Sequence, residues 1–407
     1  MDYISLEKIR IENKKKICIF GAGKIGRTWA YDILTCAGFA IDCYCDNKMR
    51  AGSEIVNGIK TVAFDLLCEK SDEYLIFITV NEKLQDEIVS QLEENGITDY
   101  IRMGFLFLQE LCESVIATQD TEVWERYKMI ANDEEFLKRQ FKYFLGYDLD
   151  LENPQTFNAK LQWLKLHDRN PEYTRLVDKY EFKKYIAQVL GEEYVIPTLG
   201  VWDSVDEIEW DKLPNQFVIK CTHDSGSVII CKDKNKFDVD NACKILGKHL
   251  KRNFFWAARE WPYKNINPKI IAEEYLVDES GYELKDYKIF VFHGKVKFIQ
   301  VDFNRFAEHK RNIYTTQWEY IDMSIKYPTE SKRCIKRPSR LNRIIDLAEK
   351  IAKDLPHGRV DFYSIDDAVY FGELTLYHGA GFEKFTPAEW DLKLGELIDL
   401  SEQGFVS

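Results

Sequence analysis

The chain has 407 residues, of which 45% are hydrophobic and 30% charged, and its formal net charge is −12. This length allows two or three domains, each with its own core, while the acidic balance argues against general nucleic-acid binding and favours solubility. Ten cysteines at irregular spacings suit reduced thiols, no window approaches the roughly 18 apolar residues of a membrane helix, and the N-terminus lacks the apolar core of a signal peptide, so we expect a cytoplasmic protein with no integral membrane segment.

Residues 1–112 alternate short apolar strands with helical patterns, which predicts a parallel βαβ arrangement. The strands are KICIF, AIDCYC and YLIFITV, one helix begins near Ile25, and another spans 82–95. The side chains of this second helix that we expect to face the sheet are Leu84, Ile88 and Leu92. A domain of about 110 residues holds one mononucleotide-binding half of a Rossmann-like fold and little of the other, which disfavours a complete dehydrogenase.

A glycine-rich turn follows the first strand, with Gly21, Gly23 and Gly26 in the pattern GxGxxG and Asp46 at the end of the next strand. The glycines permit a tight turn and the close approach of a phosphate, and Asp46 would accept from ribose hydroxyls. The alternative is a tight βα turn with no ligand. The phrases FGAGKIG and CDN resemble small nucleotide-sugar-binding domains found beside polysaccharide-modifying enzymes, which implies a nucleotide-sugar or a dinucleotide as the ligand.

Residues 113–150 have a charged helical pattern and are predicted to form a connector. From residue 151 onward, strands and helices follow in less regular order with hairpin signals, which predicts an α+β body over 151–407 with antiparallel sheets. We therefore predict three parts: an α/β Rossmann-like nucleotide-binding domain over 1–112, the helical connector and the α+β body.

The segment NQFVIKCTHDSGSVIICKD at 215–233 is predicted to form a strand that ends at Lys220, a polar loop and a second strand. The loop contains Ser225, Gly226 and Ser227. Backbone N–H groups of such a loop, together with a lysine ammonium, could cover phosphate groups. An ordinary exposed hairpin with a snorkelling lysine is the alternative.

The segment KIIAEEYLVDESGYELKDYKIFVFHGKVKFI at 269–299 combines an apolar strand, two glutamates and an aromatic residue with a later pair of long strands. Glu273 and Glu274 could be an exposed strand end. Alternatively, extended backbone beside Tyr275 would suit the edge and face of an adenine, and Asp286 would suit ribose hydroxyls.

The stretch GRVDFYSIDDAVYFGELT at 358–375 places ionisable side chains on two runs of β-forming residues. Because strand side chains alternate between faces, Arg359 shares a face with Asp361, and Glu373 shares one with Thr375. The apolar face would hold Val360, Phe362 and Leu374. An odd-numbered turn between the runs would put Asp361 and Glu373 on the same side of a hairpin, where they would repel unless a cation lies between them.

Taken in order, these features resemble the ATP-grasp superfamily of carboxylate–amine ligases. They are Lys179, Lys220 with its Ser/Gly loop, the Glu-Glu-Tyr-Leu segment, Asp286, GRVDF and GELT. Three longer phrases are similar to the TupA-like branch, named for teichuronopeptide biosynthesis: NPQTFNAKLQWLKLHDRNPEYTRLVDKYEFKKYI, REWPYKNINPKIIAEEYL and GFEKFTPAEWDLKLGEL. This resemblance covers residues 150–400. It implies an ATP- and Mg²⁺-dependent ligase that forms an amide through an acyl phosphate in cell-surface polysaccharide biosynthesis.

The resemblance also implies roles for individual residues. Lys179 and Lys220 would contact the α- and β-phosphates, and the loop 222–228 would close over the triphosphate. Glu273, Glu274, Tyr275 and Leu276 would form the adenine hinge, with Asp286 at the ribose. Mg²⁺ would be held by Asp361 and Glu373, with Arg359 neutralising the transferred phosphoryl group. Many relatives have Asn where this chain has Thr375, a weaker ligand, so the number of metal ions stays open.

The remaining candidates concern the substrates. Lys288 would lie near the acyl phosphate, and Arg305, Lys310 and Arg311 would face an anionic acceptor such as a uronic acid or polyglutamate, unless they are ordinary cations near a turn. His378 is either a substrate contact or a histidine satisfied within its turn. A glycosyltransferase-like enzyme, an enzyme that uses NAD or a nucleotide-sugar, and a non-catalytic nucleotide-binding module are the alternatives to a ligase. The partners would be a small-molecule or saccharide carboxylate and an amine.

Overall fold

The computed structural model describes residues 1–48, 54–277, 284–303, 309–333 and 335–401. The chain divides into two compact units, Met1–Tyr143 and Phe144–Ser407. The three-part division with a connector at 113–150 stays a prediction. None of the helices within the described ranges has the length and apolar character that crossing a bilayer requires.

The first unit is built on a mostly parallel sheet. Its strands are β1 (Lys16–Phe20), β2 (Ile41–Cys45), β3 (Ile55–Val56), β4 (Ile59–Val62), β5 (Tyr74–Ile78) and β6 (Tyr100–Arg102), in the order β3-β4-β2-β1-β5-β6. Its helices are α1 (Tyr3–Glu12), α2 (Lys24–Arg27), α3 (Trp29–Cys36), α4 (Phe64–Glu69), α5 (Glu82–Glu94), α6 (Phe105–Ala117), α7 (Thr121–Ala131) and α8 (Asp133–Leu145). The β3–β4 pair is antiparallel and the other pairs are parallel, which confirms the predicted parallel arrangement. The description of this unit as a Rossmann-like nucleotide-binding domain stays a prediction.

The buried face of α5 differs from the predicted one by one position. Ile88 and Leu92 are buried as predicted, but Leu84 is 41% exposed and the prediction is wrong for it. Gln85 turns inward instead, and its amide nitrogen donates to the carbonyl oxygens of Val80 and Met103, both at 3.2 Å. The first turn of the helix thus satisfies loop carbonyls rather than adding apolar contact.

The glycine-rich turn joins β1 to α2 with little space to spare. Gly21 has a φ of 112°, and a Cβ on Gly26 would lie 1.9 Å from the Gly21 carbonyl oxygen, whereas a Cβ on Gly23 would meet no atom within 4 Å. The Asp46 carboxylate accepts from the Ala22 and Lys48 backbone N–H groups at 3.0 and 2.9 Å. Gly26 is therefore required for packing, while Gly23 presents an open side.

The second unit contains antiparallel sheets and the remaining helices, which confirms the predicted antiparallel α+β content. A four-stranded sheet has the order β7-β10-β8-β9, with β7 (Thr198–Trp202), β8 (Phe217–Cys221), β9 (Ile229–Cys231) and β10 (Ile270–Glu274). A six-stranded sheet has the order β14-β13-β12-β11-β16-β17, with β11 (Asp286–Phe292), β12 (Lys295–Phe303), β13 (Lys310–Tyr314), β14 (Tyr320–Ile321), β16 (His357–Ile365) and β17 (Ala368–Thr375). A two-stranded sheet pairs β15 (Ser324–Ile325) with β18 (Phe385–Thr386). The helices are α9 (Phe157–His167), α10 (Glu172–Val177), α11 (Lys179–Val189), α12 (Val239–Leu250), α13 (Phe255–Ala258), α14 (Leu341–Ile351) and α15 (Glu389–Gly395).

The β16–β17 hairpin has one apolar and one polar face, as predicted. Val360, Phe362 and Leu374 are buried in the large apolar cluster of this unit. Asp361 lies directly opposite Glu373, and Arg359 lies opposite Thr375, so these four residues share the other face. Alternation along the two strands therefore separates the core from a row of charges.

A β-bulge, and not the predicted odd-numbered turn, aligns Asp361 with Glu373. Ile365 pairs with Ala368, so the turn contains two residues, and an odd-numbered turn is wrong. A β-bulge supplies the odd residue instead: Phe362 pairs with Phe371 and Asp361 with Glu373, which leaves Gly372 as the extra residue. Without that bulge the present chain would turn Glu373 toward the core face.

Gly26 lies against the Gly21 carbonyl whereas Gly23 faces open space, so alanine substitutions at these two positions should differ in their effect on stability. We expect Gly26→Ala to destabilise the protein by roughly 1–3 kcal/mol or more, because its methyl group would overlap the Gly21 carbonyl. We expect Gly23→Ala to change stability by no more than about 0.5 kcal/mol, since its methyl group meets open space. Thermal unfolding of both variants measures this difference, and equal melting temperatures would contradict it.

Candidate active site

Arg359 lies at the centre of the polar face of the hairpin and contacts three acceptors. Its Nε and Nη2 donate to the two oxygens of Asp361 at 2.7 and 2.8 Å, and Nη2 also donates to Glu373 Oε1 at 3.1 Å. Its Nη1 lies 3.1 Å from His378 Nδ1. The guanidinium fork therefore holds both carboxylates of the hairpin in one plane of contacts.

Lys288 supplies a second cation from the neighbouring strand. It lies opposite Asp361 across the β11–β16 ladder, and its ammonium donates to Asp361 Oδ2 at 2.5 Å and to Asp286 Oδ2 at 3.0 Å. All three side chains are buried. Glu373, in contrast, has a side chain that is 42% exposed, so it is the carboxylate that opens to solvent.

The pKa of the Glu373 carboxyl depends on the charged groups around it. Partial desolvation by the surrounding protein would raise the pKa of the Glu373 carboxyl, but nearby positive charges outweigh this effect and lower the pKa to about 2. These charges are those of Lys179, Arg359, Lys288 and Lys220. Cations from α11 and β8 therefore act on the same carboxylate as cations from the six-stranded sheet, and the structure brings the predicted phosphate-binding and metal-binding residues together.

A metal ion is not needed to relieve the repulsion between Asp361 and Glu373, since Arg359 already lies between them. No group of three acidic, histidine or cysteine side chains in the described ranges forms a metal cage. The oxygen atoms on this face that could bind a metal ion are those of the Asp361 and Glu373 carboxylates and the Thr375 hydroxyl. This set fits a hard cation such as Mg²⁺, which commonly binds through one or two carboxylates together with substrate phosphates.

Lys179 is the first residue of α11 and is fixed to the loop after β8. Its backbone N–H donates to the Thr222 carbonyl at 3.0 Å, and its ammonium donates to the Asp224 carbonyl. Asp178 caps the helix and accepts from the Thr222 hydroxyl at 3.0 Å. The helix terminus and the loop are therefore held as one piece.

Within the loop 222–228, the predicted ligand residues differ in exposure. Ser225 and Gly226 are exposed at the tip, where Gly226 has a φ of 111°. Ser227 is buried, and its hydroxyl accepts from the Cys221 backbone N–H at 2.9 Å and donates to Asp224 Oδ1 at 2.5 Å. Of these three residues, Ser225 and Gly226 could therefore contact a ligand through their backbone groups, whereas Ser227 could not.

Glu273 is a buried ion-pair residue of the four-stranded sheet. Its Oε1 accepts from Lys183 at 2.6 Å and its Oε2 pairs with Lys220. Burial would raise the pKa of the Glu273 carboxyl, but Lys220 and Lys183 lower it to about 2. We did not predict Lys183 from the sequence, although its position four residues after Lys179 puts both on one helix face.

The other predicted hinge residues lie at the end of β10. Glu274 is exposed, and Tyr275 and Leu276 are partly buried. A cavity of about 560 Å³ is lined by Leu199, Lys212, Pro214, Asn215, Gln216, Glu274 and Tyr275. Strand β10 thus places Glu273 and Glu274 on opposite faces of its sheet, and only Glu273 faces Lys220.

His378 is buried in the turn that follows β17. Its Nε2 lies 3.3 Å from Glu383 Oε2, and burial lowers the pKa of its imidazole to about 4. A neutral ring that accepts from Arg359 at Nδ1 is consistent with these contacts. Its Nε2 has no hydrogen-bond partner among the described residues, so both predicted roles of His378 stay open.

The predicted acceptor-binding cations are only partly described. Arg305 lies outside the described residues, and Lys310 is half-buried at the start of β13. Arg311 is buried, with its Nε donating to Asp302 Oδ1 at 2.7 Å and its Nη1 to the Ile325 carbonyl at 2.9 Å. An open role facing an acceptor is therefore wrong for Arg311. The predicted nucleotide ligands Gly21, Gly23, Gly26 and Asp46 belong to the first unit.

Residues 159–399, more than half of the chain, match the family model described as TupA-like ATPgrasp. The chain therefore belongs to the TupA-like ATP-grasp family. It has no match among curated proteins.

Similar solved structures include a D-alanine–D-alanine ligase from Bacillus anthracis, with 14% identity, a TM-score of 0.30 and coverage of 89% of this chain and 86% of that one. An L-amino acid ligase from Bacillus licheniformis has 11% identity, a TM-score of 0.31 and coverage of 94% and 71%. The D-cycloserine synthetase DcsG has 13% identity, a TM-score of 0.31 and coverage of 94% and 97%. Likenesses this loose support no argument about the present chain, and the family assignment rests on the sequence match.

The buried pairing of Glu273 predicts a pH-dependent contribution to stability. Because the pKa of Glu273 is about 2 in the folded protein against 4.5 for an ordinary glutamate, its stabilisation is present above about pH 4.5 and is lost as the pH falls toward 2. We expect Glu273→Gln to lower the free energy of unfolding by about 3–5 kcal/mol near pH 7, since it leaves two buried ammonium groups uncompensated. Urea unfolding at several pH values tests this.

Glu274→Gln is the matched control, because Glu274 is the exposed neighbour on the same strand. It should unfold like the wild type at every pH. A Glu273→Gln variant as stable as this control near pH 7 would contradict the prediction.

Proposed function

We propose that the chain is an ATP- and Mg²⁺-dependent ligase that joins a carboxylate to an amine through an acyl phosphate. The observation that supports this most directly is the convergence of Lys179, Lys220, Lys288 and Arg359 on Glu373. Phosphoryl transfer depends mainly on positioning and on neutralising charge around the phosphates. Four cations around one solvent-open carboxylate suit this task better than they suit a covalent nucleophile.

The reaction needs ATP for a chemical reason. A carboxylate and a protonated amine do not condense near neutral pH, because neither is reactive and hydroxide is a poor leaving group. Transfer of the γ-phosphoryl group to the carboxylate creates a leaving group that an amine can displace. The membership in the TupA-like ATP-grasp family supports the choice of ATP as the phosphoryl donor.

Each group of residues would have a distinct task. Lys179 and Lys220 would bind the phosphate oxygens of ATP under the tip of the loop 222–228, while β10 and the residues after it would bind the adenine. Arg359 and Lys288 would neutralise charge at the transferred group and the acyl phosphate. Asp361 and Glu373, with Thr375, would hold Mg²⁺, which when bound shields the β- and γ-phosphates.

The proposed setting is the synthesis of cell-surface polysaccharide in the cytoplasm. The carboxylate would belong to a uronic acid or another acidic saccharide, and the first unit would bind a nucleotide or nucleotide-sugar at its glycine-rich turn. The open side of Gly23 is compatible with a phosphate approaching there. The alternatives, a glycosyltransferase-like or NAD-dependent enzyme and a non-catalytic module, would consume no ATP.

Isotope transfer tests the reaction directly. With ¹⁸O-labelled glucuronate or galacturonate, ATP, Mg²⁺ and a panel of amines, we expect amine-dependent release of ADP and transfer of ¹⁸O from the carboxylate to inorganic phosphate. The label moves because the carboxylate oxygen that attacks the γ-phosphorus leaves with the phosphate. Mass spectrometry of the phosphate measures the transfer, and ATP consumption with no label in phosphate would contradict the acyl-phosphate route.

Substitution of Glu373 tests the assigned site. We expect Glu373→Gln to lower the rate of amine-dependent ADP release about a hundredfold or more, because the carboxylate that faces both the cations and the metal loses its charge. Glu319→Gln is a suitable control, since Glu319 is an exposed carboxylate on a turn of the same unit. Full turnover by Glu373→Gln would exclude its role as a ligand.

A further inference from the structure

Glu260 is a largely buried acidic residue whose carboxylate has no side-chain partner within the described ranges. It follows Arg259, which has a φ of 57°, and precedes a short 3₁₀ helix at Trp261–Asn265. Glu260 is only 7% exposed. Its carboxylate makes no hydrogen bond or ion pair with any residue in the described ranges. Its oxygens keep some access to solvent, so this unpaired acid is available to a cationic ligand.

Lys165 acts on Glu260 through its charge but makes no hydrogen bond to it, because its donors are already used. Lys165 is fully buried on α9, and its ammonium donates to Gln162 Oε1 at 2.9 Å, to the Ala258 carbonyl at 2.9 Å and to the Ala380 carbonyl at 2.8 Å. An ammonium group has three donors. Lys165 therefore joins two backbone segments and leaves Glu260 unmatched.

Arg359 is engaged in the same way. Its guanidinium donates to Asp361 and Glu373 and lies against His378. Its charge still acts on Glu260, since it opposes the effect of burial on the pKa of that carboxyl. Glu260 is thus near the cation at the centre of the active site but is not bonded to it.

Tyr263 lies in the short 3₁₀ helix that follows Glu260. Burial and the charges of Glu260 and Glu373 raise the pKa of the Tyr263 hydroxyl well above its ordinary value. The Lys165 ammonium, which donates to the carbonyls of Ala258 and Ala380, places the segment just before Glu260 beside the turn that follows β17. The titratable and charged groups that act around Glu260 from the surrounding elements are Lys165, Arg259, Tyr263, Arg359 and Tyr377.

We propose that Glu260 binds the ammonium group of the amine substrate and accepts its proton before the amine attacks. This inference rests on the proposed function, whose reaction requires a primary amine that is protonated at neutral pH. An ammonium would supply the charge and the hydrogen-bond donors that Glu260 lacks in the chain itself. The anionic substrates, in contrast, have four cations of their own around Glu373.

The proton and electron balance follows simply. The ammonium passes one proton to the Glu260 carboxylate and becomes a neutral amine. Its lone pair forms the C–N bond to the acyl carbon, the bond from that carbon to the phosphate oxygen breaks, and phosphate leaves with the electron pair. The nitrogen then gives its second proton to the departing phosphate, and Glu260 releases its proton to water.

The acidity of Glu260 suits this role. Burial raises the pKa of its carboxyl, against the opposing charges of Lys165 and Arg359. A general base works best when its pKa lies near the operating pH.

The test compares the full-length wild type with Glu260→Gln, Glu260→Asp and the control Glu319→Gln. Methylammonium, added in the presence of Mg²⁺ and ADP, is the binding probe, and broadening of its methyl NMR signal measures its affinity. We expect Glu260→Gln to weaken this binding roughly tenfold or more, because the isosteric amide removes the charge. Glu260→Asp should restore part of the affinity, and the control should bind like the wild type.

A second measurement separates binding of the amine from formation of the acyl phosphate. Hydroxylamine is uncharged at neutral pH and traps an acyl phosphate as a hydroxamate, so Glu260→Gln should form hydroxamate from glucuronate at the wild-type rate. With a protonated amine the same variant should show a raised KM and a lowered kcat.

The outcomes distinguish the two proposals. Equal methylammonium binding by the wild type and Glu260→Gln would overturn the role of Glu260, even if both form hydroxamate. Failure of the wild type to form hydroxamate from any carboxylate would overturn the proposed ligase reaction, while the binding measurement would still decide whether Glu260 holds an ammonium. Thermal unfolding checks that Glu260→Gln is folded, and we expect its melting temperature to equal or exceed that of the wild type because an unpaired buried charge is removed.

Discussion

The contact of one guanidinium with two facing carboxylates organises the catalytic unit. Asp361 and Glu373 lie directly opposite each other on the polar face of the β16–β17 hairpin, and Arg359 is the cation that makes this arrangement tolerable. The same group meets His378, so the turn after β17 is positioned from the hairpin itself. If this cation were lost, Asp361 would keep its contact with Lys288, but no described residue would bond to both carboxylates at once.

Arg359 is also linked to helix α9, through the turn that contains His378. The turn at His378–Gly381 has three successive residues in left-handed conformation or close to it, and its carbonyls are held by Gln162 and Lys165 of α9. The Lys165 ammonium reaches both this turn and the segment that carries Glu260. Lys165 thus joins two backbone segments and has no donor left for Glu260.

Much of this architecture follows from local sequence patterns, because side-chain alternation is a local property. The sequence predicts that Val360 and Phe362 lie on one face of their strand and that Arg359 and Asp361 lie on the other. It also predicts the parallel strands of the first unit. The features that could not be predicted depend on partners distant in sequence. Gln85 replaces Leu84 because loop carbonyls lie beneath it, Lys183 matters because Glu273 comes from another sheet, and Glu260 is notable only because Lys165 is occupied elsewhere.

The bulge at Gly372 has an evolutionary consequence. Phe371 pairs with Phe362 on one side of it, and Glu373 pairs with Asp361 on the other. A chain that lacked Gly372 would form a regular ladder with the same two pairs, and a chain that has it keeps the same chemistry with one more residue. The hairpin can therefore gain or lose a residue at this point while its charged face stays aligned, so alignments of related chains should tolerate a gap here more readily than anywhere else along the two strands.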